Sequence, residues 1–383
     1  MLRLKTPLEQ NEFEAYVEAL FKLDDYHSVY KELGRLEVPA PYKLRIKVLY
    51  SEISVKKVID GLVENGRLHN LKRDSKTYIY STTIGRQITK KVRVPFFLAS
   101  FDQNELRENV QAIIAICNTD QWSAIRRLSE RNYPSLVPIL LSQSEIIESA
   151  KRLKQVTGHN VNVKAFSAKE VFNGKRGEYL KSIREWTDEE LDRALLSIKD
   201  RRQIIYSIDI EFFHKIGDQT NVVPSAICKI RKNGEIEVTG SYKLAFDAVA
   251  TQIAKVGLKK LRFYSGRGLR VSAYKPKPLA VNFSQPVFEN VGAVSNFVHI
   301  LSKYPHSMHA IEHGNPYAHV KLADIYDGST FDVWAISPAR IALIPGLKAS
   351  EAAFERLVHF IFDRFREGQI ANYDYEGRTL EGN

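Results

Sequence analysis

The ten residues Ile204-Ile205-Tyr206-Ser207-Ile208-Asp209-Ile210-Glu211-Phe212-Phe213 constrain the fold more than any other stretch of the chain. An apolar run of this length, broken only by two carboxylates, reads as a buried central strand. Side chains alternate between the faces of a strand, so Asp209 and Glu211 project side by side from one face. Two acids on one face of such a strand are costly unless something positive lies between them, and a divalent metal is the usual answer. The plainer alternative is a strand end, with both acids solvated or paired to Lys215.

A strand of this kind needs a sheet and a core around it, and the chain is long enough for both. Its 383 residues predict two or three domains, and 44% apolar with 26% charged residues suits a globular chain. Disordered, collagen-like and disulfide-framework classes are excluded. No run approaches the roughly 18 apolar residues a membrane helix needs, so no membrane partner is expected. The N-terminus shows no secretory signal. Cys117 and Cys228 lie far apart without a CxxC, which predicts a reduced, intracellular, cytoplasmic setting and excludes a zinc–cysteine site.

Charge supplies the first functional clue. The net charge is +11, and residues 41–93 hold thirteen basic against four acidic residues, a surplus of nine. A positive field so concentrated points to a polyanion, most often nucleic acid, with DNA the expected form. Apolar spacing predicts a helix over 12–34, a second over Tyr42–Tyr50 and a third from a Ser54 cap to Glu64, stopped by Asn65-Gly66. Two extended stretches follow, around a Lys-Arg-Asp-Ser turn. Three helices and a basic hairpin is the element order of a winged helix. In that arrangement Lys56 and Lys57 start the groove-reading helix, and Lys72, Arg73 and Lys76 lie on the hairpin. The alternative is a small helical domain with a solvated basic face.

Residues 95–190 alternate strand-like runs (94–99, 136–141, 161–166) with helical ones (106–116, 145–155), which predicts an α/β layer before a charged helix at 178–200. The sequence shows no internal repeat. Further on, Asn233-Gly234 signals a hairpin joining 226–230 to 235–239. A helix is expected over 242–256, ending at Gly257, then a strand over 260–264. At that strand's end Ser265-Gly266-Arg267-Gly268-Leu269-Arg270 would bring backbone amides, Ser265, Arg267 and Arg270 to a phosphate. A tight basic loop with no ligand would read the same way. P-loop and dinucleotide fingerprints are absent.

Near the C-terminus, 317–325 and 333–344 read as strands, the latter broken at Pro338, and 352–365 as an amphipathic helix. Asp327-Gly328 suggests a hairpin turn that sets Asp324 and Asp332 on facing strands. His306, His309, His313 and His319 cluster in sequence with Glu312, but Pro305 and Pro316 interrupt any helix that could make them ligands.

Taken together, Asp209-Ile210-Glu211, the segment Phe246–Val271 and Thr330-Phe331-Asp332 with Arg340–Leu347 resemble the archaeo-eukaryotic primase and primase-polymerase superfamily over roughly residues 204–350. With the readings above, it gives an α/β (α+β) chain: a winged-helix-like module at 1–93, an α/β segment at 94–200 and, implied by the resemblance, a mixed-sheet primase-like domain at 201–383. It also implies a nucleotidyltransferase joining nucleoside triphosphates on a DNA template. Asp209, Glu211 and a third acid, Asp324 or Asp327, would hold two Mg2+ or Mn2+ ions, while Ser265, Gly266, Arg267, Arg270, Arg340 and Lys348 would hold the triphosphate. The family's motif histidine is here Arg270, and the glycine turn is one residue shorter than the pattern. A non-catalytic DNA-binding initiator or regulator and a metal-dependent nuclease are the competing readings.

Overall fold

The structure, a computed structural model, describes all residues except 1, 2, 4, 5, 24, 25, 34, 72–75, 85–89, 102–107, 158, 159, 175, 176, 195–202, 216–221, 241, 243, 244, 268–275, 306, 314–316, 347, 348 and 374–383. Its described part mixes helices with antiparallel sheets, an α+β class. The chain divides into two compact units, 1–258 and 259–383.

Elements of the first unit run α1 (Pro7–Phe21), α2 (Tyr26–Leu33), β1 (Lys43–Tyr50), α3 (Val55–Glu64), β2 (Leu68–Asn70), β3 (Thr77–Ile84), β4 (Lys90–Ser100), β5 (Val110–Cys117) and α4 (Thr119–Arg131). They continue as β6 (Val137–Pro138), α5 (Gln143–Thr157), β7 (Asn160–Gly174), β8 (Gly177–Glu190), β9 (Gln203–Lys215), β10 (Val222–Arg231) and β11 (Glu235–Gly240). A π-helical turn, Ala245–Ala250, then leads into α6 (Thr251–Tyr264), within which the boundary at 258 falls.

One antiparallel sheet organises these elements, in the order β2-β3-β4-β5-β1-β11-β10-β9-β7-β8, with β6 also on β1. The expected strand at 204–213 is β9, inside this sheet. The hairpin through Asn233-Gly234 also forms, with Gly234 at φ +70°. A Cβ at Gly234 would meet the Ile139 carbonyl oxygen at 2.3 Å, so both the turn and its neighbour require glycine.

Three segments expected as helices form strands. Residues 43–50 form β1, residues 110–116 lie in β5, and 178–190 lie in β8. In β1 the alternation Leu44, Ile46, Val48 against Arg45, Lys47 has period 2, and both sets are buried, the cations because distant carboxylates meet them. The winged-helix order is therefore not what the chain adopts. β1 sits between β5 and β11, so the boundaries at 93 and 200 fall within one sheet. The third helix does form as α3, with Ser54 as cap accepting from the Lys57 N–H.

Conversely, the expected strand at 260–264 is helical. Gly257 does not end a helix but lies within α6, where a Cβ would come within 2.4 Å of the Ile139 side chain. Close packing explains that glycine; a cap does not.

Helices cover the sheet from opposite sides along its length. On the front, Val55, Ile59 and Leu62 of α3 and Trp122, Ile125 and Leu128 of α4 pack with Leu49, Tyr78, Val94, Phe96, Leu98 and Ile113. On the back, Ile208, Ile210, Cys228, Ile230, Ile236 and Val238 are buried, and α5 packs on β7, β9 and the π turn. The front of β1, β11, β10, β9, β7 and β8 beyond α4 carries charged residues.

The second unit runs β12 (Leu279–Asn282), α7 (Val291–Leu301), β13 (Ser307–His313), β14 (His319–Asp324), β15 (Thr330–Ser337), β16 (Arg340–Pro345), α8 (Glu351–Arg364) and β17 (Gln369–Asn372). Its antiparallel sheet has the order β13-β14-β15-β16-β12-β17. The expected strands at 317–325 and 333–344 and the helix at 352–365 are present. Phe297 and Leu301 of α7 with Phe354, Leu357, Val358 and Ile361 of α8 cover one face of it.

The two units share a topology that the sequence does not show. In each, a strand, a helix, a four-strand meander and a second helix follow in order, and the first strand lies beside the last strand of the meander.

Candidate nucleic-acid interface

Cross-strand register brings the charged residues of the front face together. β1 sets Arg45 opposite Glu237 and Lys47 opposite Glu235; β10 sets Lys229 opposite both Glu237 and, on its other side, Asp209. Asp209 and Glu211 do share a face. Each meets a cation: Asp209 lies 3.0 Å from Lys229 and 2.9 Å from Arg184, and Glu211 lies 2.7 Å from Lys164.

Glu235 and Glu237 continue the pattern. Glu235 accepts from Lys47 at 3.3 Å and from the Arg126 guanidinium, which reaches in from α4. Glu237 is met by Lys43, by Arg45 at 3.4 Å and by Arg231 at 3.4 Å. The Arg45 guanidinium also lies 5.8 Å over the Trp122 ring, tying the band to the front core.

Three of the cations, Lys47, Arg45 and Lys229, are as buried as the acids at 4–11% exposure. The carboxylate side chains are 2–14% exposed, whereas Lys43, Arg126, Arg184, Arg231 and Lys164 are 31–42% exposed. The acids and three of the cations form an inner row, and the other five cations lie further out. Among the described residues, eight cations (Lys43, Arg45, Lys47, Arg126, Lys164, Arg184, Lys229, Arg231) pair with these four carboxylates.

Ionisation follows this arrangement. Burial pushes the Glu235 carboxyl up, but the hydrogen bond from Arg126 and the Lys47 charge outweigh it and hold Glu235 at about 2. Glu237 is held low in the same way: burial opposes, and Lys43 and Arg45 prevail. Lys47 and Lys229 are pulled below the usual lysine range by burial, against the attraction of Glu235 and Asp209.

These pairings decide how a metal would fare. The oxygens of Asp209 and Glu211 face ammonium and guanidinium groups, so an ion between them would have to displace cations already in place. Both carboxylates are charge-compensated as they stand. Among the described residues no three His, Cys, Asp or Glu side chains converge on a common point.

The other expected site residues lie elsewhere. Asp324 is buried and bound by Arg356, and it accepts the Tyr326 N–H at 2.9 Å. Asp327 accepts from the Ser329 N–H at 2.8 Å and from the Ser350 hydroxyl, so both acids shape the turn after β14. Asp332, on β15, holds His319 at 2.9 Å. His309 is exposed on β13, and His306 lies outside the described residues.

The Ser265-Gly266-Arg267 turn caps α6 and does not end a strand. Gly266 has φ +70°, which closes the turn. Arg267 points inward: its guanidinium donates to the Phe263 carbonyl at 2.6 Å, to those of Lys277 and Pro278 at 3.2 and 3.0 Å, and to Asn372. With those bonds made, and 5% exposure, it is a fastener and is not placed for phosphate. Arg340 donates to Asn282 across β16–β12 at 2.7 Å. Arg270 and Lys348 lie outside the described residues, as do Lys72 and Arg73 of the expected hairpin.

Acids within and outside the segment also pair with part of the basic 41–93 stretch. Lys56 pairs with Asp60, Lys90 with Asp120 at 3.0 Å and Arg93 with Glu18 at 3.3 Å, while Lys76 donates to Ser100 at 3.4 Å. Lys57, Arg67 and Lys91 are exposed. The residues that sequence reasoning missed are Arg126, Lys164, Arg184, Lys229, Arg231, Glu235 and Glu237. A signal existed: Lys43-x-Arg45-x-Lys47 and Glu235-x-Glu237 are complementary period-2 patterns, visible once both segments are read as strands.

No protein-family model matches the chain, and no curated protein matches it.

Proposed function

We propose that this protein binds nucleic acid through the front of its larger sheet, and that it acts by binding and not by nucleotidyl transfer. The observation that carries the reading is the exposure of charge, with five partly exposed cations beside a row of buried, paired carboxylates. A polyanion approaching that face meets the cations first. The band crosses six strands, so at about 4.8 Å per strand it extends roughly 24 Å, the reach of about seven phosphates along one strand.

The polymerase and nuclease readings ask Asp209 and Glu211 to hold metal ions; their pairing with Lys229, Arg184 and Lys164 supports reading them as counter-charges. The same substitution tests both ideas. In Asp209→Asn, Lys229 and Arg184 lose their acid, and the band gains one net positive charge. Duplex affinity then rises, by up to about eightfold at 0.1 M salt. For the wild-type chain, four to five phosphate contacts predict a loss of about 150- to 500-fold in duplex affinity between 50 and 200 mM salt.

Fluorescence anisotropy with a labelled duplex measures both. Incubation with labelled nucleotide, single-stranded template and manganese supplies the other arm. Template-dependent product that disappears in Asp209→Asn would overturn the binding reading in favour of the polymerase.

A further inference from the structure

The face of the second unit's sheet opposite α7 and α8 carries a different set of side chains. The β14–β15 register places His319 opposite Trp334 and Lys321 opposite Asp332. The His319 and Trp334 rings stack with centroids 4.0 Å apart and planes at 21°, and His319 Nε2 lies 2.9 Å from Asp332 Oδ1. His319 is 9% exposed, but Trp334 is 38% exposed, so the imidazole fixes an indole that still presents surface to solvent.

Beside this pair lies an open groove of about 440 Å3, lined by Met308, Ala310, Lys321, Ala323, Thr330 and Asp332. Its size falls within the roughly 300–1,000 Å3 of small-molecule sites. Asp332 serves both features: it holds His319 and lines the groove.

We propose that this face takes a single-stranded nucleic-acid segment, with a base stacked at Trp334 and its neighbour in the groove against Asp332. The proposal rests on the nucleic-acid reading above and adds a base-reading site in the other unit. A sequence-tolerant platform needs an exposed aromatic ring held rigidly, which the His319 stack supplies. Bases must be unstacked to use it, which selects single strands over duplex. An ionised carboxylate only accepts hydrogen bonds, so Asp332 favours bases with an exocyclic amino group. Cytosine, adenine and guanine carry one; thymine and uracil present carbonyls there. Lys321, across the strand pair from Asp332, supplies positive charge for the backbone phosphate.

The test uses the full chain and labelled oligo(dC), oligo(dT), oligo(rC) and a duplex at 0.1 M salt. Trp334→Ala is expected to weaken oligo(dC) binding about tenfold and leave duplex binding unchanged. Trp334→Phe keeps most of the affinity. Asp332→Asn is expected to remove a preference for oligo(dC) over oligo(dT), and comparison of oligo(rC) with oligo(dC) identifies the natural strand. As a measurement independent of variant folding, oligo(dC) quenches the wild-type tryptophan emission, and the quench is lost in Trp334→Phe. If Trp334→Ala binds oligo(dC) like wild type while duplex is still bound, this proposal falls and the nucleic-acid reading stands. If the wild-type chain binds neither strand nor duplex, both fall.

Discussion

Deleting the Glu235 carboxylate strikes the most buried point of the charged band. Glu235 and Lys47 side chains are 2% and 4% exposed, and Arg126 is 38% exposed. In Glu235→Ala the Arg126 guanidinium can turn to water, whereas Lys47 stays enclosed without an acid. Removing one partner of a buried pair costs about 3–5 kcal/mol. The lower end applies, because burial already pulls the Lys47 ammonium below its usual range and it can shed its proton.

A second route gives the same size. Glu235 moves from 4.5 to about 2 on folding. That shift of roughly 2.5 units, at about 1.36 kcal/mol each, is about 3 kcal/mol. The folded value lies below the unfolded one, so this stability is fully present above pH 4.5 and is lost as the pH falls through about 2.

Urea unfolding of the full chain at pH 7 measures the loss, and hydrogen exchange at β1 and β11 isolates the first unit, since two units need not unfold in one step. Glu235→Gln should flatten the stability decline between pH 4.5 and 2. The double variant Lys47→Met/Glu235→Leu removes both charges and should return to within about 1 kcal/mol of wild type. A loss under about 1 kcal/mol in Glu235→Ala, or a double variant as unstable as the single one, would refute the reasoning.

Two further outcomes follow from the same contacts. Arg267→Ala should destabilise the second unit by about 3 kcal/mol, because three backbone carbonyls and Asn372 lose a charged donor. Arg267→Lys should not restore the melting temperature, since an ammonium cannot fork between those acceptors; weaker triphosphate binding at an unchanged melting temperature would instead place Arg267 in a ligand site. Cys117 and Cys228 are fully buried, and burial pushes the Cys117 thiol up to about 12 and Cys228 higher still. Neither should react with iodoacetamide at pH 8 until denaturant is added, and fast labelling of the native chain would contradict the buried sheet.

What could be read from sequence depended on whether local and tertiary signals agreed. Ser54, Asn65-Gly66 and Asn233-Gly234 act within a few residues, and the elements they mark formed where expected. The strand 204–213 was legible because its apolar run has one interpretation. β1 was not, because Lys43, Arg45 and Lys47 look like a solvated face until Glu235 and Glu237, some 190 residues away, are seen to meet them. The adjacency of Asp209 and Glu211 was legible from period, whereas their pairing with Lys229, Arg184 and Lys164 was not. Period fixes the face on which an acid lies; only packing fixes its counter-ion.

The shared topology of the two units shows how little of function the fold itself dictates. In each, paired helices seal one face of the meander, and what the remaining sheet surface carries differs. In the first unit it is a row of ion pairs with partly exposed cations, which act through charge on any phosphate chain and weaken with salt. In the second it is one indole, one carboxylate and a groove, which act through stacking and hydrogen bonds that salt barely touches. If both surfaces serve nucleic acid, the two properties should separate by unit: substitutions in the charged band change the salt slope and leave base preference intact, and substitutions at Trp334 or Asp332 do the reverse.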